Sequence, residues 1–204
     1  QEGNYFEGQF LYGLTLNKLN QNFQPTDGFS TSFHQSIPLL SDDMSFKNSY
    51  RFSTFYMLPQ DVLFSLRFNV DAINSLNGDD VRVSKRIFMP ETRLRGFSSG
   101  KIGPKDSGEY IGGNYGSSLN LGATLPELLK DLENVDFSLF LDMANIWGVD
   151  YDSNLDSNKL RSSTGLAVDW FTPIGPLSFS FATTLSKADS DTTESFRFNI
   201  GTSF

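Results

Sequence analysis

Hydrophobic and polar side chains alternate along most of this chain, and the clearest example is its last segment. Phe196, Phe198, Ile200, Thr202 and Phe204 fall on one face of a strand, with polar or small residues between them. Side chains of a β-strand point alternately to opposite sides of the sheet. The segment therefore predicts a strand with one apolar face and one polar face.

The same period of two recurs in eight earlier segments, so the sequence predicts about nine strands. Their apolar faces are, in chain order, Phe10/Tyr12/Leu14/Leu16, Phe29/Thr31/Phe33/Ile37, Phe46/Tyr50/Phe52/Tyr56/Leu58, Val62/Phe64/Leu66/Phe68/Val70, Tyr115/Leu119/Leu121/Leu125, Val135/Phe137/Leu139/Leu141/Met143, Leu160/Leu166/Val168/Trp170 and Leu177/Phe179/Phe181/Leu185. The opposite faces are rich in Ser, Asn, Asp, Arg and Gly. Segments near ten residues have the length that a tilted strand needs to cross a bilayer.

Composition helps to distinguish strands of a membrane barrel from strands of a soluble β-protein. The chain has 204 residues, 20 Phe and a net charge of -8, and its sequence has no apolar run near the roughly 20 residues of a membrane-spanning helix. Only helices and closed barrels satisfy their backbone groups in lipid. The large number of Phe on one face favours contact with lipid, which predicts an all-β, antiparallel transmembrane β-barrel. A soluble β-sandwich is the alternative that alternation alone leaves open.

The connections between the predicted strands are of two kinds. Residues 25–28, 58–61 and 172–176 are short turn sequences on one side of the sheet. The connections on the other side tend to be longer, and the longest runs from about 72 to 113. Outer-membrane barrels show this asymmetry between brief periplasmic turns and extended surface loops. A loop of this length in an ordered domain is usually functional or disordered.

The sequence contains few of the residues that enzyme active sites commonly use. There is no Cys, and His34 is the single His, so there is no thiol nucleophile and no His-rich metal site. The acidic residues Asp150, Asp152 and Asp156 lack the Gly and distal Glu of a calcium loop. We therefore expect no enzyme activity, no metal and no cofactor. An acidic chain without a basic stripe also makes nucleic acid an unsuitable partner.

Charged residues on the polar faces are expected to neutralise one another. The carboxylates are those of Asp71, Asp136, Asp142 and Asp169, and the expected partners are Arg51, Arg67, Arg161 and Arg197.

Residues 93–97, with the sequence Arg-Leu-Arg-Gly-Phe, lie inside the long loop and form a recognisable motif. They resemble the Val/Ile-Arg-Gly-Phe/Tyr motif of the outer-membrane barrel-assembly and transport superfamily. Further stretches agree with this superfamily in the same order: Ile-Gly-Pro at 102–104, Gly-Gly-Asn at 112–114, Phe-Leu-Asp at 140–142, and the segments 161–165, 169–177 and 196–204. The resemblance covers essentially the whole chain, residues 1–204, and within the superfamily the combination is typical of the assembly factors.

The resemblance implies a barrel of sixteen strands, of which this chain supplies about the last nine. An odd strand number also indicates a partial barrel, because bacterial single-chain barrels have even numbers. The implied function is folding and insertion of β-barrel proteins in the bacterial outer membrane. The implied partners are outer-membrane lipid, nascent barrel proteins and accessory lipoproteins, the last through periplasmic POTRA domains outside this chain.

The resemblance also implies a docked loop. The superfamily places its Arg-Gly-Phe loop inside the barrel, where the Arg meets a Phe-x-Asp segment, so Arg95 is expected to pair with Asp142 beside Phe140. The alternation independently puts Phe140 and Asp142 on the polar face. Gly96 would permit the turn, and Phe97 would anchor the loop.

The last strand has a second implied role, as assembly signal and seam. The residues that carry it are Phe198, Ile200, Gly201 and Phe204. In this interpretation the final strand pairs weakly with the first, so that the seam opens and templates an incoming strand by edge pairing. Gly201 is compatible with a kinked seam. The alternatives are a passive outer-membrane channel or porin and a related POTRA-barrel secretion transporter.

Overall fold

A computed structural model describes residues 6–42, 44–125, 134–156, 158–173 and 175–200. In chain order its strands are β1 (Glu7–Asn17), β2 (Gly28–Ser41), β3 (Ser45–Met57), β4 (Leu63–Ser75), β5 (Lys105–Asp106), β6 (Glu109–Tyr110), β7 (Tyr115–Leu125), β8 (Val135–Trp147), β9 (Arg161–Thr172), β10 (Gly175–Ser186) and β11 (Phe196–Ile200). Short 3-10 turns occupy Pro59–Asp61, Val83–Lys85, Glu91–Arg93 and Ser153–Leu155.

The described strands form one antiparallel sheet of nine members, and the small β5–β6 hairpin stands apart from it. The order in the sheet is β1-β2-β3-β4-β7-β8-β9-β10-β11, so every strand pairs with its neighbour along the chain apart from that hairpin. The prediction of an all-β antiparallel fold with about nine strands is confirmed. Among the described helical turns, none has the length and apolar character of a membrane span.

The long connection runs over residues 76–114, between β4 and β7, and is called the long loop below. The sequence prediction began it too early, at about Ala72. In the structure Ala72 and Ser75 still pair with Asn48 and Ser45 of β3. Ile73 breaks the expected pattern because it is an apolar residue on the polar side of β4, where it lies buried beneath the loop.

The apolar faces of the strands point away from the rest of the molecule. Phe198 and Ile200 of β11 are 45% and 72% exposed, and the side chains of Phe10 and Leu14 in β1 are similarly accessible. Neighbouring rings contact one another along this surface, as Phe179 and Phe198 do with ring centroids 5.0 Å apart. Within the described residues no second sheet covers these faces, as a sandwich would require.

The polar faces line a cavity of about 700 Å³, and this side of the sheet is called the lumen face. Strands β2 to β4 and β7 to β11 all contribute side chains to the cavity, so the sheet curves around it. The main buried apolar cluster also lies on this side, where the long loop packs on the strands. It consists of Ile73, Val81, Ile87, Met89, Leu94, Phe97, Ile102, Ala144 and Ile146. Most of the core is therefore made by the loop folding inward.

Candidate functional site: the docked Arg-Gly-Phe loop

Arg95 of the long loop forms a bidentate ion pair with Asp142 of β8. Its Nε donates to Oδ2 and its Nη2 donates to Oδ1, both at 2.8 Å, and its backbone N–H donates to Oδ2 at 3.1 Å. The Asp142 side chain is fully buried, and that of Arg95 is 24% exposed. Parallel charge-assisted bonds fix both distance and orientation. The pair therefore holds the loop at one depth against β8.

Phe140 supplies the second contact of the same guanidinium group. The Cζ atom of Arg95 lies 3.6 Å from the centroid of the Phe140 ring, which is buried on the lumen face of β8. A cation over an aromatic ring gains from about 0.5 kcal/mol at exposed sites to about 2 kcal/mol when desolvated. The Phe-x-Asp segment thus presents a ring and a carboxylate, two residues apart on one face, to one arginine.

Asn120 of β7 completes the set of donors around Asp142. Its Nδ2 donates to Asp142 Oδ1 at 2.8 Å and to the carbonyl oxygen of Arg93 at 3.0 Å. Asp142 therefore accepts four hydrogen bonds, three from Arg95 and one from Asn120. This number matches the lone-pair capacity of a carboxylate, which offsets the cost of burying its charge.

The loop is also fastened to the strands on either side. The Ser163 hydroxyl of β9 donates to the carbonyl oxygen of Arg95. Arg93 forms an ion pair with Asp71 of β4, and the Ser49 hydroxyl of β3 donates to Asp71 at 2.6 Å. Residues 93–95 thus contact β4, β7, β8 and β9, which are four successive strands of the sheet.

Gly96 allows the loop to turn where it packs against β9 and β10. Its φ is 88°, in the left-handed region that favours glycine. A Cβ atom at this position would lie 3.0 Å from Ala182 Cβ and 3.2 Å from Ser163 Cβ. Both the backbone conformation and the space therefore select glycine. Phe97 follows with 2% exposure, inside the apolar cluster.

Of the residues predicted as signal and seam, the two that the structure describes, Phe198 and Ile200, lie on the other face of the sheet from this loop. Phe198 and Ile200 point outward and oppose Phe179 and Leu177 of β10. Gly201 and Phe204, the other predicted residues of the signal, lie outside the described residues. The structure therefore brings together Arg95, Gly96, Phe97, Phe140 and Asp142 as one cluster and places the described signal residues apart from it.

The Arg95–Asp142 pair is the one that the resemblance implies, but the pairing of lumen carboxylates with arginines of the sheet was wrong for several other residues. Asp71 pairs with Arg93, and Asp142 pairs with Arg95, so both carboxylates meet arginines of the loop. Two of the predicted arginines bind carboxylates outside the strands. Arg161 binds Asp191 of the β10–β11 connection, and Arg197 binds Glu91 of the long loop and Glu194 of the same connection. Ion pairs between neighbouring strands were predicted because the alternation shows which face of the sheet each residue occupies. It does not show how deeply a loop enters the lumen and competes for these partners.

Asn120 and Ser163 were missed as members of the site. The signal available for both was their position on predicted polar faces, in the segments after the loop. Strand register decides which polar residue reaches the motif, and Asn120 lies directly opposite Asp142, as does Ser163 on the other side. Register is set by pairing in the folded sheet, so the alternation did not identify them.

The acidic residues of the β8–β9 loop serve as local hydrogen-bond acceptors. Asp150 accepts from the Val81 backbone N–H at 2.6 Å, and Asp156 accepts from the Gly148 N–H at 2.8 Å. Asp152 accepts from the Asn154 N–H at 2.9 Å. Partial desolvation and the hydrogen bond that its hydroxyl donates to Asp106 raise the pKa of Tyr151 above its ordinary value. These contacts tie the loops at the rim together.

Comparison with known proteins places this arrangement in context. The family model described as the Omp85 superfamily domain matches residues 1–204. Outer membrane protein assembly factor BamA of Neisseria meningitidis serogroup B is 28% identical over 226 residues, which cover 94% of this chain and 28% of the relative. BamA of Neorickettsia risticii is 28% identical over 199 residues, covering 95% of this chain and 27% of the relative.

A solved structure is similar over nearly the whole chain. The crystal structure of BamA from Haemophilus ducreyi lacking POTRA domains 1–3 aligns with a TM-score of 0.84 and 29% sequence identity. The alignment covers 93% of this chain and 41% of that one. The chain thus spans less than a third of the length of these two curated relatives.

Proposed function

This chain belongs to the Omp85 superfamily and is part of a bacterial outer-membrane β-barrel, and we propose that it serves the folding and insertion of other β-barrel proteins in that membrane. The observation that carries the proposal is the docked loop. Arg95 meets both Phe140 and Asp142 in a sheet that aligns with a BamA barrel over 93% of the chain. The relatives named as assembly factors support the same activity.

The proposed mechanism is strand templating at the edge of the sheet. A β-strand at a sheet edge presents unpaired N–H and C=O groups to which another chain can add a strand. In the described sheet β1 and β11 are the two edge strands. The outward Phe198 and Ile200 of β11 present an apolar side to lipid, and an incoming strand of the same alternation would continue that surface.

The partners that follow from this proposal are membrane lipid and nascent barrel proteins. The exposed apolar faces described above are suited to hydrocarbon. Accessory lipoproteins would bind through periplasmic domains outside this chain. No nucleic acid, metal or cofactor has a part in the proposed mechanism.

The interior packing favours assembly over passive transport. The long loop folds into the lumen, and Leu94, Phe97 and Ile102 are almost completely buried there. A porin keeps an aqueous channel open through its lumen. A loop that is bonded to four strands and packed in the described core is less suited to steady conduction.

The experiment that tests the proposal substitutes Arg95 in the full-length protein that contains this chain. We expect Arg95→Ala to reduce the insertion of a denatured barrel substrate into vesicles severalfold, because Asp142 and Phe140 lose their partner. Arg95→Lys should restore part of the activity, since it keeps the charge but not the bidentate geometry. Lys187→Ala, at an exposed cation after β10, is the matched control.

Two measurements separate the possible outcomes. Substrate insertion comparable to that of the unsubstituted protein, combined with a loop that has become accessible to protease, would contradict the proposed role of the docked loop. A stable ion conductance of the intact protein, without any insertion activity, would instead identify a passive channel.

A further inference from the structure

We infer that Glu91 of the long loop positions the terminal strand β11 by holding Arg197, and that this ion pair sets how readily β11 separates from the sheet. The inference deepens the proposed function and rests on it, since β11 is one of the edges at which an incoming strand would pair. The ion pair itself involves neither Arg95 nor Asp142.

Arg197 reaches from the lumen face of β11 into the long loop. Its Nη1 lies 2.8 Å from Glu91 Oε2, and its Nη2 donates to the Phe97 carbonyl oxygen at 3.3 Å and contacts Glu194. Nη1 has no well-aligned acceptor in the described part of the chain, so its contact with Glu91 is mainly electrostatic. The Arg197 side chain is 14% exposed and that of Glu91 is 36% exposed, so water screens the pair only in part.

Backbone hydrogen bonds join the same loop to the residues just before β11. The Ser98 N–H donates to the Thr192 carbonyl, the Thr192 N–H donates to the Lys101 carbonyl, and the Glu194 N–H donates to the Gly96 carbonyl, each at 3.0 Å. Residues 96–101 and 192–194 therefore pair like two short strands. The connection between β10 and β11 is thus attached to the loop independently of any side chain.

A buried ion pair fixes the other side of this connection. Arg161 of β9 donates from Nε and Nη2 to Asp191 at 2.9 and 3.0 Å, and both side chains are fully buried. Asp191 also accepts from the Ala188 N–H at 2.6 Å. The segment from Ala188 to Glu194 is therefore held from two directions, and it forms a fixed starting point for the last strand.

Strand β11 itself is held much less firmly. It pairs only with β10 in the described sheet, over the five residues from Phe196 to Ile200. Its outward side chains are exposed, and Arg197 is its side-chain link to the loop. Among the described residues, the Glu91–Arg197 pair is consequently the ion pair through which the position of the long loop acts on β11, and the hydrogen bond from Arg197 to the Phe97 carbonyl accompanies it. Loss of this pair should ease separation of β11 from β10.

Hydrogen exchange of the full-length protein in lipid nanodiscs tests the inference. In Glu91→Gln we expect the β11 amides that pair with β10 to exchange about two- to fivefold faster, as for loss of a partly exposed ion pair. Glu91→Asp should retain part of the protection. The matched control is Glu194→Gln, which removes the other carboxylate on Arg197 but leaves the link to the long loop, so β11 exchange should stay close to that of the unsubstituted protein.

The inference fails if Glu91→Gln leaves β11 exchange unchanged, or if β8 and β9 loosen to the same extent. A parallel assay of substrate insertion separates it from the proposed function. Faster exchange accompanied by faster insertion supports both. Faster exchange with unaltered insertion supports the role of Glu91 and counts against strand templating at this edge.

Discussion

Phe140 of β8 and Gly165 of β9 lie directly opposite each other, and the ring of Phe140 occupies the space that a side chain at position 165 would need. A Cβ atom on Gly165 would come within 2.8 Å of the Phe140 Cζ atom and within 1.9 Å of the Phe181 carbonyl oxygen. The same ring carries the Arg95 guanidinium on the lumen face. The lack of a side chain at Gly165 therefore leaves room for the Phe140 ring in the position where it contacts Arg95.

Gly165→Ala should weaken docking of the long loop. The added methyl group displaces Phe140 or separates the strands, and overpacking of this kind costs about 1–3 kcal/mol. Thermal unfolding followed by heat-modifiable electrophoretic mobility should show a lower midpoint, and trypsin should cleave the loop at Arg93 or Arg95 more quickly.

The matched control for this change is Gly122→Ala. Gly122 also lies on the lumen face, opposite Phe140 on the β7 side, but a Cβ there would approach closely only the Ser65 hydroxyl, which can rotate away. Equal effects of the two substitutions would show that Phe140 is not held in place by Gly165.

Gly96→Ala should release the loop through both strain and crowding. Left-handed backbone costs an alanine about 1–2 kcal/mol, and the new Cβ would press on Ala182 and Ser163. We expect faster proteolysis of the loop in the folded protein and a lower unfolding midpoint.

Gly78→Ala separates the two causes. Gly78 has a φ of 81°, close to that of Gly96, but a Cβ at this position would meet nothing within 4 Å. Its substitution therefore carries the backbone strain without the crowding. If both variants lose the same stability and show the same loop protection, contact between residue 96 and the sheet has no role in docking.

Asn120→Asp should impair docking more than Asn120→Ala. Alanine removes two hydrogen bonds and leaves part of Asp142 and the Arg93 carbonyl without a partner, at a cost of about 1–3 kcal/mol. Aspartate adds like-charge repulsion next to a fully buried carboxylate. Unfolding midpoints measured at neutral pH give the comparison.

Lowering the pH provides an internal control for Asn120→Asp. Protonation of the introduced carboxylate removes the repulsion, so the difference between the aspartate and alanine variants should shrink in acid. A greater loss in the alanine variant at neutral pH would contradict this account.

The faces of the strands were predictable from sequence because alternation is a local property. Phe196, Phe198 and Ile200 point outward, and Arg197 and Asn199 line the cavity, as their spacing alone predicts. The number of strands followed for the same reason. The end of β4 was not predictable in this way, because Ile73 is an apolar residue on the lumen face. It is buried by residues of the long loop, which the local alternation does not reveal.

The contacts between side chains within the site could not be predicted from the alternation of apolar and polar residues. The contact of Arg95 with Asp142 was expected from the resemblance, whereas Asn120, Ser163 and Glu91 enter the network through register and loop depth. Neither quantity is encoded by a period of two. Long-range contacts of this kind join residues that lie tens of positions apart, such as the hydrogen bond between Ser163 and the Arg95 carbonyl.

The long loop is tied to both edges of the curved sheet, through the ion pair of Lys85 with Glu7 in β1 and that of Glu91 with Arg197 in β11. Residues 93–95 of the same loop contact the four strands β4, β7, β8 and β9, which lie between these edges. A change in this one connection would therefore reach both edges of the sheet at once.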